Sequence, residues 1–292
     1  MKRNIKNRIW NSLKSVLGRH NYERLRMRYN LGYWPHLKNP RTLNEHIAHK
    51  KLFTDMDFAV QLADKYAVRE YIANKVGEEY LPKNHYVGEN LDNVNWDEMP
   101  DQFVIKTTHG GGDEGNVFVY DKSKMNLAEV TEKTNANLGK RFGSWTNEDW
   151  YLKIQPRVMI EGLMLDHEGE VPTDYKFFCF SGKVHFIQVN SARYTGHRRS
   201  FYSTDWELLS FRMGNIPTTK LPKPTALDDM IALAEKLCED FDLVRVDLYS
   251  LPEGIRFGEL TFTPGGGHEV LYPSETDWKY GDLLQNAAKK SA

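Results

Sequence analysis

The clearest pattern of hydrophobic and polar positions lies in Phe241–Gly267, where apolar residues alternate with charged ones. The run Val244–Tyr249 is rich in β-branched and aromatic side chains, which favour a strand. Pro252-Glu253-Gly254 supplies turn residues, and a second apolar run follows in Ile255–Phe262. The pattern therefore predicts two antiparallel strands joined by a tight turn.

Charged residues interrupt this predicted hairpin. Because side chains alternate between the two faces of a strand, Arg245 and Asp247 share one face, as do Glu259 and Thr261. A shift of one residue in register decides whether Asp247 lies opposite Glu259. If it does, the two carboxylates repel each other unless a cation sits between them, and Mg²⁺ binds carboxylates together with substrate phosphates. The alternative is a solvated sheet face with incidental charges.

A lysine-bearing strand and a glycine-rich loop occupy the middle of the chain. The strand is predicted at Gln102–Thr108 and carries Lys106, and a second strand follows the loop at Val117–Tyr120. The loop matches Gly-x-Gly-x-x-Gly, but a dinucleotide-binding loop opens a helix, and here a strand follows. Walker A also fails, because Asn116 stands where the lysine belongs. The arrangement suits a hairpin that folds over a triphosphate, or an ordinary glycine-rich turn.

Helices are predicted on either side of a central region of strands. Thr42 and Glu45 have the spacing of a capping box, which predicts a helix that continues to Phe53. A further helix is predicted at Phe58–Val76, and Thr225 is expected to cap another at Ala226–Phe241. Strands are predicted at Arg157–Met164, in a hairpin at Asp174–Asn190, and in another at Ser200–Leu209.

The first segment, Met1–Tyr29, carries nine basic residues and one acidic residue, with apolar residues at helical spacing. This pattern is typical of a helix that lies on an anionic membrane surface. It is equally typical of a helix that packs on the body of the protein with a solvated basic face.

Composition narrows the class of protein. The 292 residues include 39 basic and 40 acidic ones, a balance that argues against a nucleic-acid partner. Cys179 and Cys238 form neither a disulfide framework nor a metal-ligand spacing, which fits a reducing cytoplasm. No apolar run reaches the length of a membrane span, and no signal-peptide core follows the basic start. We therefore expect a cytoplasmic protein, peripheral to a membrane if Met1–Tyr29 touches one.

The order and spacing of several stretches resemble the ATP-grasp fold, and specifically the TupA-like ATP-grasp proteins of polysaccharide biosynthesis. They run from about Asn39 to Asp282 and are NPRTLNEHI, ADKYAVREYI, FVIKTTHGGG, PRVMIEG, DYKFFCFSGKVHFIQV, FYSTDWELL, and VRVDLY with FGELTFTPGGG. The resemblance implies an α+β fold that clamps ATP between two subdomains. It places a mostly helical portion at 1–78, the lid subdomain at 79–156 and the catalytic subdomain at 157–292.

The resemblance also implies which residues contact the nucleotide. It matches two cations to the phosphates, a glycine loop to the lid, a hinge glutamate to adenine, and an acid with a neighbouring lysine to the ribose. The matched positions are, in that order, Arg69 and Lys106, then Gly110, Gly111 and Gly112, then Glu161, then Asp174 and Lys176.

Metal and substrate positions follow from the same resemblance. Asp247 and Glu259 match the metal carboxylates, while Thr261 stands where the family usually has asparagine, so one metal site is expected to be looser. Arg245 would orient the transferred phosphoryl group, a task that suits its planar guanidinium. The arginines that would hold an acidic substrate are Arg193, Arg198 and Arg199.

The resemblance implies a Mg²⁺- and ATP-dependent ligase. Such an enzyme activates a carboxylate as an acyl phosphate, which an amine or similar nucleophile then attacks. The expected setting is cell-surface polysaccharide or glycopeptide assembly, and the expected substrate is an acidic sugar or amino acid. Two alternatives are a glycosyltransferase acting on the same polymers, which commonly carries an Asp-x-Asp metal motif after a strand, and a non-catalytic nucleotide- or glycan-binding module.

Overall fold

The computed structural model describes residues 2–110, 115–192 and 196–291, which form helices and antiparallel strands. The helices are α1 (Lys2–Leu31), α2 (Leu43–Phe53), α3 (Phe58–Leu62), α4 (Val68–Lys75), α5 (Leu127–Leu138), α6 (Leu227–Cys238) and α7 (Glu275–Ser291). The strands are β1 (Asn84–Gly88), β2 (Phe103–Thr107), β3 (Val117–Val119), β4 (Val158–Gly162), β5 (Asp174–Phe180), β6 (Lys183–Ser191), β7 (Arg198–Tyr202), β8 (Arg212–Met213), β9 (Leu243–Leu251), β10 (Gly254–Thr261) and β11 (Leu271–Tyr272).

The predicted helices are confirmed in part. The capping box is present, since Thr42 accepts from the Glu45 backbone while Glu45 accepts from the Thr42 backbone. The single helix predicted at Phe58–Val76 is wrong, because the Asp64 carboxylate accepts hydrogen bonds from two backbone N–H groups just after it and makes a turn between α3 and α4. The Thr225 cap is also wrong, because α6 begins after Ala226 without a capping side chain.

The first sheet has four antiparallel strands in the order β1-β4-β2-β3. Its apolar face includes Phe103, Ile105 and Ile160 and packs on Val130 of α5. On the opposite face, the register pairs Val104 with Glu161, so that the Glu161 side chain points away from this core.

The second sheet has five antiparallel strands in the order β10-β9-β5-β6-β7 and lies between two layers of helices. Alternate residues of β5 face opposite layers, as the period of a strand requires. Phe177 packs in the core that holds α4 and α6, whereas Phe178 packs in the core that holds α2 and α7. Apolar side chains thus hold the sheet between the two helical layers without any contribution from the charged residues of the hairpin.

A bulge at Gly258 fixes the register of the hairpin formed by β9 and β10. Phe257 pairs with Leu248 and Glu259 with Asp247, so Gly258 is the extra residue. A side chain at Gly258 would meet the Tyr249 ring at 2.9 Å and the Asp247 carbonyl oxygen at 3.1 Å, which explains the glycine. The bulge thus brings Glu259 opposite Asp247.

The N-terminal helix packs on the body of the protein beyond a break at Gly18, where φ is 71° and ψ is 162°. After this break Tyr22 and Met27 are buried, and the Tyr22 hydroxyl donates to the Trp145 carbonyl at 2.6 Å. Among the described residues, no helix is both long and apolar enough to cross a bilayer.

A buried ion pair joins this helix to two loops. The Lys51 ammonium donates to the Glu23 carboxylate at 2.6 Å, to the Thr146 carbonyl at 3.1 Å and to the Gly266 carbonyl at 2.6 Å. His268 lies 2.8 Å from Glu23 through its Nε2. Because the Lys51–Glu23 ion pair is buried and both of its members make further hydrogen bonds, this network fixes the 143–149 loop and the Pro-Gly-Gly-Gly turn at 264–267 against α1 and α2.

Burial should make stability depend on the protonation of His268. Burial lowers the pKa of His268 to about 4 despite its contact with Glu23, whereas an unfolded histidine has a pKa near ~6.5. Between these values the unfolded chain binds more protons, so the free energy of unfolding falls as the pH drops, by about 2 kcal/mol per histidine from pH 6.5 to 5. Urea titrations at both pH values should show that the free energy of unfolding falls less for His268→Gln than for the unaltered protein. Equal drops would contradict the assignment.

Candidate active site

One cleft of about 880 Å³ is lined by residues of both large sheets. Its walls carry charged side chains of β2 and β4 on one side and of β5, β9 and β10 on the other, with further ones from loops. The sequence-predicted residues that line it are Arg69, Lys106, Glu161, Asp174, Lys176, Arg199, Arg245, Asp247, Glu259 and Thr261.

Asp247 is the centre of a buried ion cluster on the five-stranded sheet. The Arg245 guanidinium donates to both carboxylate oxygens, from Nε at 2.6 Å and from a terminal nitrogen at 2.7 Å. Lys176 on the neighbouring strand β5 contacts Asp247 as well and reaches Asp174 at 2.8 Å. Burial alone would raise the pKa of Asp247, but Arg245 and Lys176 outweigh it and hold the pKa below its usual range.

Glu161 joins two cations on the opposite wall. Its carboxylate accepts from Arg69 at 3.0 Å and from Lys106 at 2.8 Å, so one acid holds both basic groups at the edge of the cleft. Lys106 and Arg69 are about one-fifth exposed and can be approached from the cleft. Exchange of the carboxylate for phosphate oxygens would keep their hydrogen bonds satisfied.

Lys65 is a site residue to which the sequence analysis gave no role. Its ammonium lines the cleft and contacts the Gly110 carbonyl. Burial lowers its pKa, Lys106 adds to that effect, and the Glu259 carboxylate opposes it. The turn at Asp64 places Lys65 at the cleft. Lys65 was missed because one unbroken helix was predicted where this turn occurs.

The irregular segment at 140–152 supplies a further wall of the cleft that the sequence analysis missed. Trp145, Glu148 and Tyr151 line the cleft, and Glu148 accepts a hydrogen bond from Thr263. Burial raises the pKa of Tyr151 well above its usual value, and the carboxylates of Glu259 and Glu148 reinforce that rise. A segment without hydrophobic periodicity gives little indication of its structure from sequence. The high density of aromatic residues here was the one signal that it packs against the body of the protein.

The oxygen donors of the hairpin suit a hard cation. Glu259 lies opposite Asp247, and the Thr261 hydroxyl donates to Glu259 at 3.4 Å. Among the described residues, no three His, Cys, Asp or Glu side chains converge as a metal cage. Two carboxylates and a hydroxyl beside an open cleft fit Mg²⁺, which keeps several waters and shares its shell with phosphates. Such an ion would share Asp247 with Arg245 and Lys176.

The sequence profile of the TupA-like ATP-grasp family matches residues 45–285. The chain belongs to this family. The match covers the cleft, both sheets and the hairpin, so the α+β ATP-grasp architecture expected from the sequence is confirmed.

Solved structures with a similar fold include several ligases. The D-alanine–D-alanine ligase of Helicobacter pylori is 16% identical, with 86% of this chain and 69% of that chain covered and a TM-score of 0.46. The Bacillus anthracis enzyme of the same name is 16% identical, with 79% and 68% covered and a TM-score of 0.48. A RimK-domain ATP-grasp protein of Sphaerobacter thermophilus is 11% identical, with 78% and 69% covered and a TM-score of 0.45. No curated protein sequence matches this chain.

Five of the residues predicted for the site are not among the described residues that line the cleft. Arg198 is exposed and donates to the Gly196 carbonyl at 3.0 Å, and it does not line the cleft. Gly110 lies at the edge of the cleft through its contact with Lys65. The predictions for Gly111, Gly112 and Arg193 fall outside the described residues.

The two Asp-x-Asp triplets of the chain also lie outside the cleft. Asp55-Met56-Asp57 follows helix α2, and Asp57 pairs with Lys153 at 2.5 Å. Asp240-Phe241-Asp242 follows helix α6, and Asp240 pairs with Lys75 at 2.6 Å. Neither triplet follows a strand, as the metal motif of a glycosyltransferase commonly does.

The two carboxylates of the hairpin should respond differently to neutralisation. Asp247→Asn leaves Arg245 and Lys176 buried with one anion fewer, so the free energy of unfolding should fall by about 3–5 kcal/mol. Glu259→Gln removes a half-buried carboxylate whose hydrogen bond to Thr261 is long, and the change should stay within about 0.5 kcal/mol. Urea unfolding without Mg²⁺ measures both. A large loss in Glu259→Gln, or none in Asp247→Asn, would contradict this description of the cluster.

Proposed function

We propose that this protein is a Mg²⁺- and ATP-dependent ligase that phosphorylates a carboxylate and passes the acyl group to an amine or similar nucleophile. The observation that carries the proposal is the cleft, where basic side chains from both sheets face a register-paired aspartate and glutamate. Phosphoryl transfer needs little covalent help from a protein. It needs cations and a metal held where charge accumulates on the transferring group.

The basic residues would hold the triphosphate. Lys65 and Lys106 would bind its oxygens from the wall opposite the hairpin. Arg69 would assist there, since it shares the Glu161 carboxylate with Lys106. Arg245 would face the transferred group from the five-stranded sheet. Asp247 keeps its guanidinium in one orientation through two hydrogen bonds, so no conformational freedom is lost when the phosphoryl group arrives.

Asp247, Glu259 and Thr261 would hold Mg²⁺. When bound, the ion supplies Lewis-acid polarisation of phosphoryl oxygens. Glu161, Asp174 and Lys176 remain assigned to the nucleotide. Glu161 would release its two cations to the phosphates and then be able to accept hydrogen bonds from the base.

An acidic sugar or amino acid would bind at the far end of the cleft, beside Arg199. This guanidinium lies 3.3 Å from Glu269 and lines the cleft, whereas Arg198 does not. We infer that the enzyme works in the cytoplasm on precursors of a cell-surface polysaccharide or glycopeptide. This inference rests on membership of the TupA-like family alone.

Nucleotide binding tests the proposal first. Isothermal calorimetry with a non-hydrolysable ATP analogue and Mg²⁺ should give a saturable signal. Lys106→Ala should weaken binding by roughly 10- to 100-fold, since a hydrogen bond to a charged group contributes about 1.5–3 kcal/mol. Lys220→Ala is the matched control, because this exposed lysine lies outside the cleft. No binding at millimolar analogue by folded protein would refute the proposal.

Catalysis is then measured as ADP release in a panel of sugar acids and amino acids, each with and without an amine. One acid should stimulate release, and Glu259→Gln should reduce turnover by orders of magnitude while melting normally. ATP binding without acid-stimulated release across the panel would favour a non-catalytic nucleotide-binding module instead.

A further inference from the structure

A second, smaller concavity of about 210 Å³ lies outside the cleft, on the N-terminal part of the protein. Its basic lining residues are His20 and Arg24 on α1 and His36 and Lys38 on the loop that follows. In the sequence, the basic character of this region is evident on the helix alone. The structure instead gathers basic side chains of the helix and of the loop around one hollow.

The loop is held in place from beneath. The buried Glu45 carboxylate accepts from the His36 backbone N–H at 2.8 Å, and His49 contacts the Leu37 carbonyl at 2.8 Å. Leu37 itself is buried, so His36 and Lys38 on either side of it are directed outward and exposed. The concavity is therefore preorganised by contacts that do not use its own basic groups.

The two cations of the concavity, Arg24 and Lys38, have no acidic partner among the described residues. Lys14 and Arg26 on the same helix pair with Asp149 at 3.2 Å and with Glu23 at 3.5 Å. Arg24 lies over the Trp34 ring at 5.5 Å, and Lys38 is exposed without an ion pair. The helix thus uses some of its basic groups to attach itself to the body and presents others outward.

Two exposed aromatic residues flank these cations. Trp34 is 55% exposed and Phe53 is 45% exposed, and the Phe53 ring lies 6.0 Å from that of His20. Together His20, Arg24, Trp34, His36, Lys38 and Phe53 form what we call the basic aromatic face. Amphipathic aromatic rings beside basic side chains are the combination found at membrane–water interfaces.

We propose that the basic aromatic face docks on an anionic lipid surface, with a headgroup phosphate in the concavity and Trp34 and Phe53 at the interface. Charge complementarity favours this occupant, since unpaired basic groups converge on one hollow of a protein whose net charge is −1. A nucleic acid needs a basic groove that tracks successive phosphates, and a hollow of about 210 Å³ holds one. The proposal does not depend on the ligase function.

Vesicle sedimentation of the full chain tests the proposal. Vesicles of phosphatidylcholine with 30% phosphatidylglycerol should bind the protein and release it as salt rises, whereas pure phosphatidylcholine should not. Arg24→Gln with Lys38→Gln should weaken binding by about 30-fold, since each basic group near an anionic surface contributes about fivefold. The matched control is Lys220→Gln with Lys236→Gln, which removes the same charge from exposed positions elsewhere.

Brominated lipids add a measurement that a purely electrostatic attraction would not change. They should quench tryptophan fluorescence on binding, and Trp34→Phe should lose most of the quenching while still sedimenting. Equal vesicle binding by the two double variants, with normal melting of both, would overturn the proposal. Absence of vesicle binding would do the same, as would a single-stranded oligonucleotide that binds through these residues in its place.

Discussion

The buried ion cluster around Asp247 is the interaction on which the rest of the site depends. It lies between strands β5 and β9, where a carboxylate, a guanidinium and an ammonium that are largely buried satisfy one another. An isolated charge at this depth would be strongly destabilising, whereas a well-bonded cluster is tolerated. The sheet therefore maintains a charged wall in the cleft without an external ligand.

The cluster also determines what the hairpin can present to a ligand. Asp247 is committed to Arg245 and Lys176, whereas Glu259 opposite it has, among the described residues, only a long hydrogen bond from Thr261. The carboxylate that can adjust to an incoming cation is consequently Glu259. On the far wall, Glu161 holds Arg69 and Lys106 in the same preorganised way. Each wall thus holds its charges at fixed positions before the substrates arrive.

Much of this architecture was predictable, because the residues concerned act locally. The alternation of apolar and charged residues predicted the hairpin of β9 and β10, and the spacing of Thr42 and Glu45 predicted the start of α2. The register between Asp247 and Glu259 was not predictable, since it depends on a bulge whose cause is the contact of Gly258 with Tyr249. Lys65 was missed for a similar reason, because a side-chain turn at Asp64 overrides the helical pattern. Specific contacts decided both outcomes, across the hairpin at Gly258 and within a short turn at Asp64, and hydrophobic periodicity does not report such contacts.

The central claim is that Asp247 and Glu259 hold the metal of a bound nucleotide. Crystals grown with a non-hydrolysable ATP analogue and Mn²⁺ in place of Mg²⁺ test it most directly, because Mn²⁺ gives an anomalous signal. We expect one strong anomalous peak at about 2.1–2.2 Å from oxygens of both carboxylates and of the phosphates, with Lys106 on the triphosphate. A nucleotide bound outside the cleft, or a metal peak that touches neither Asp247 nor Glu259, would contradict the account.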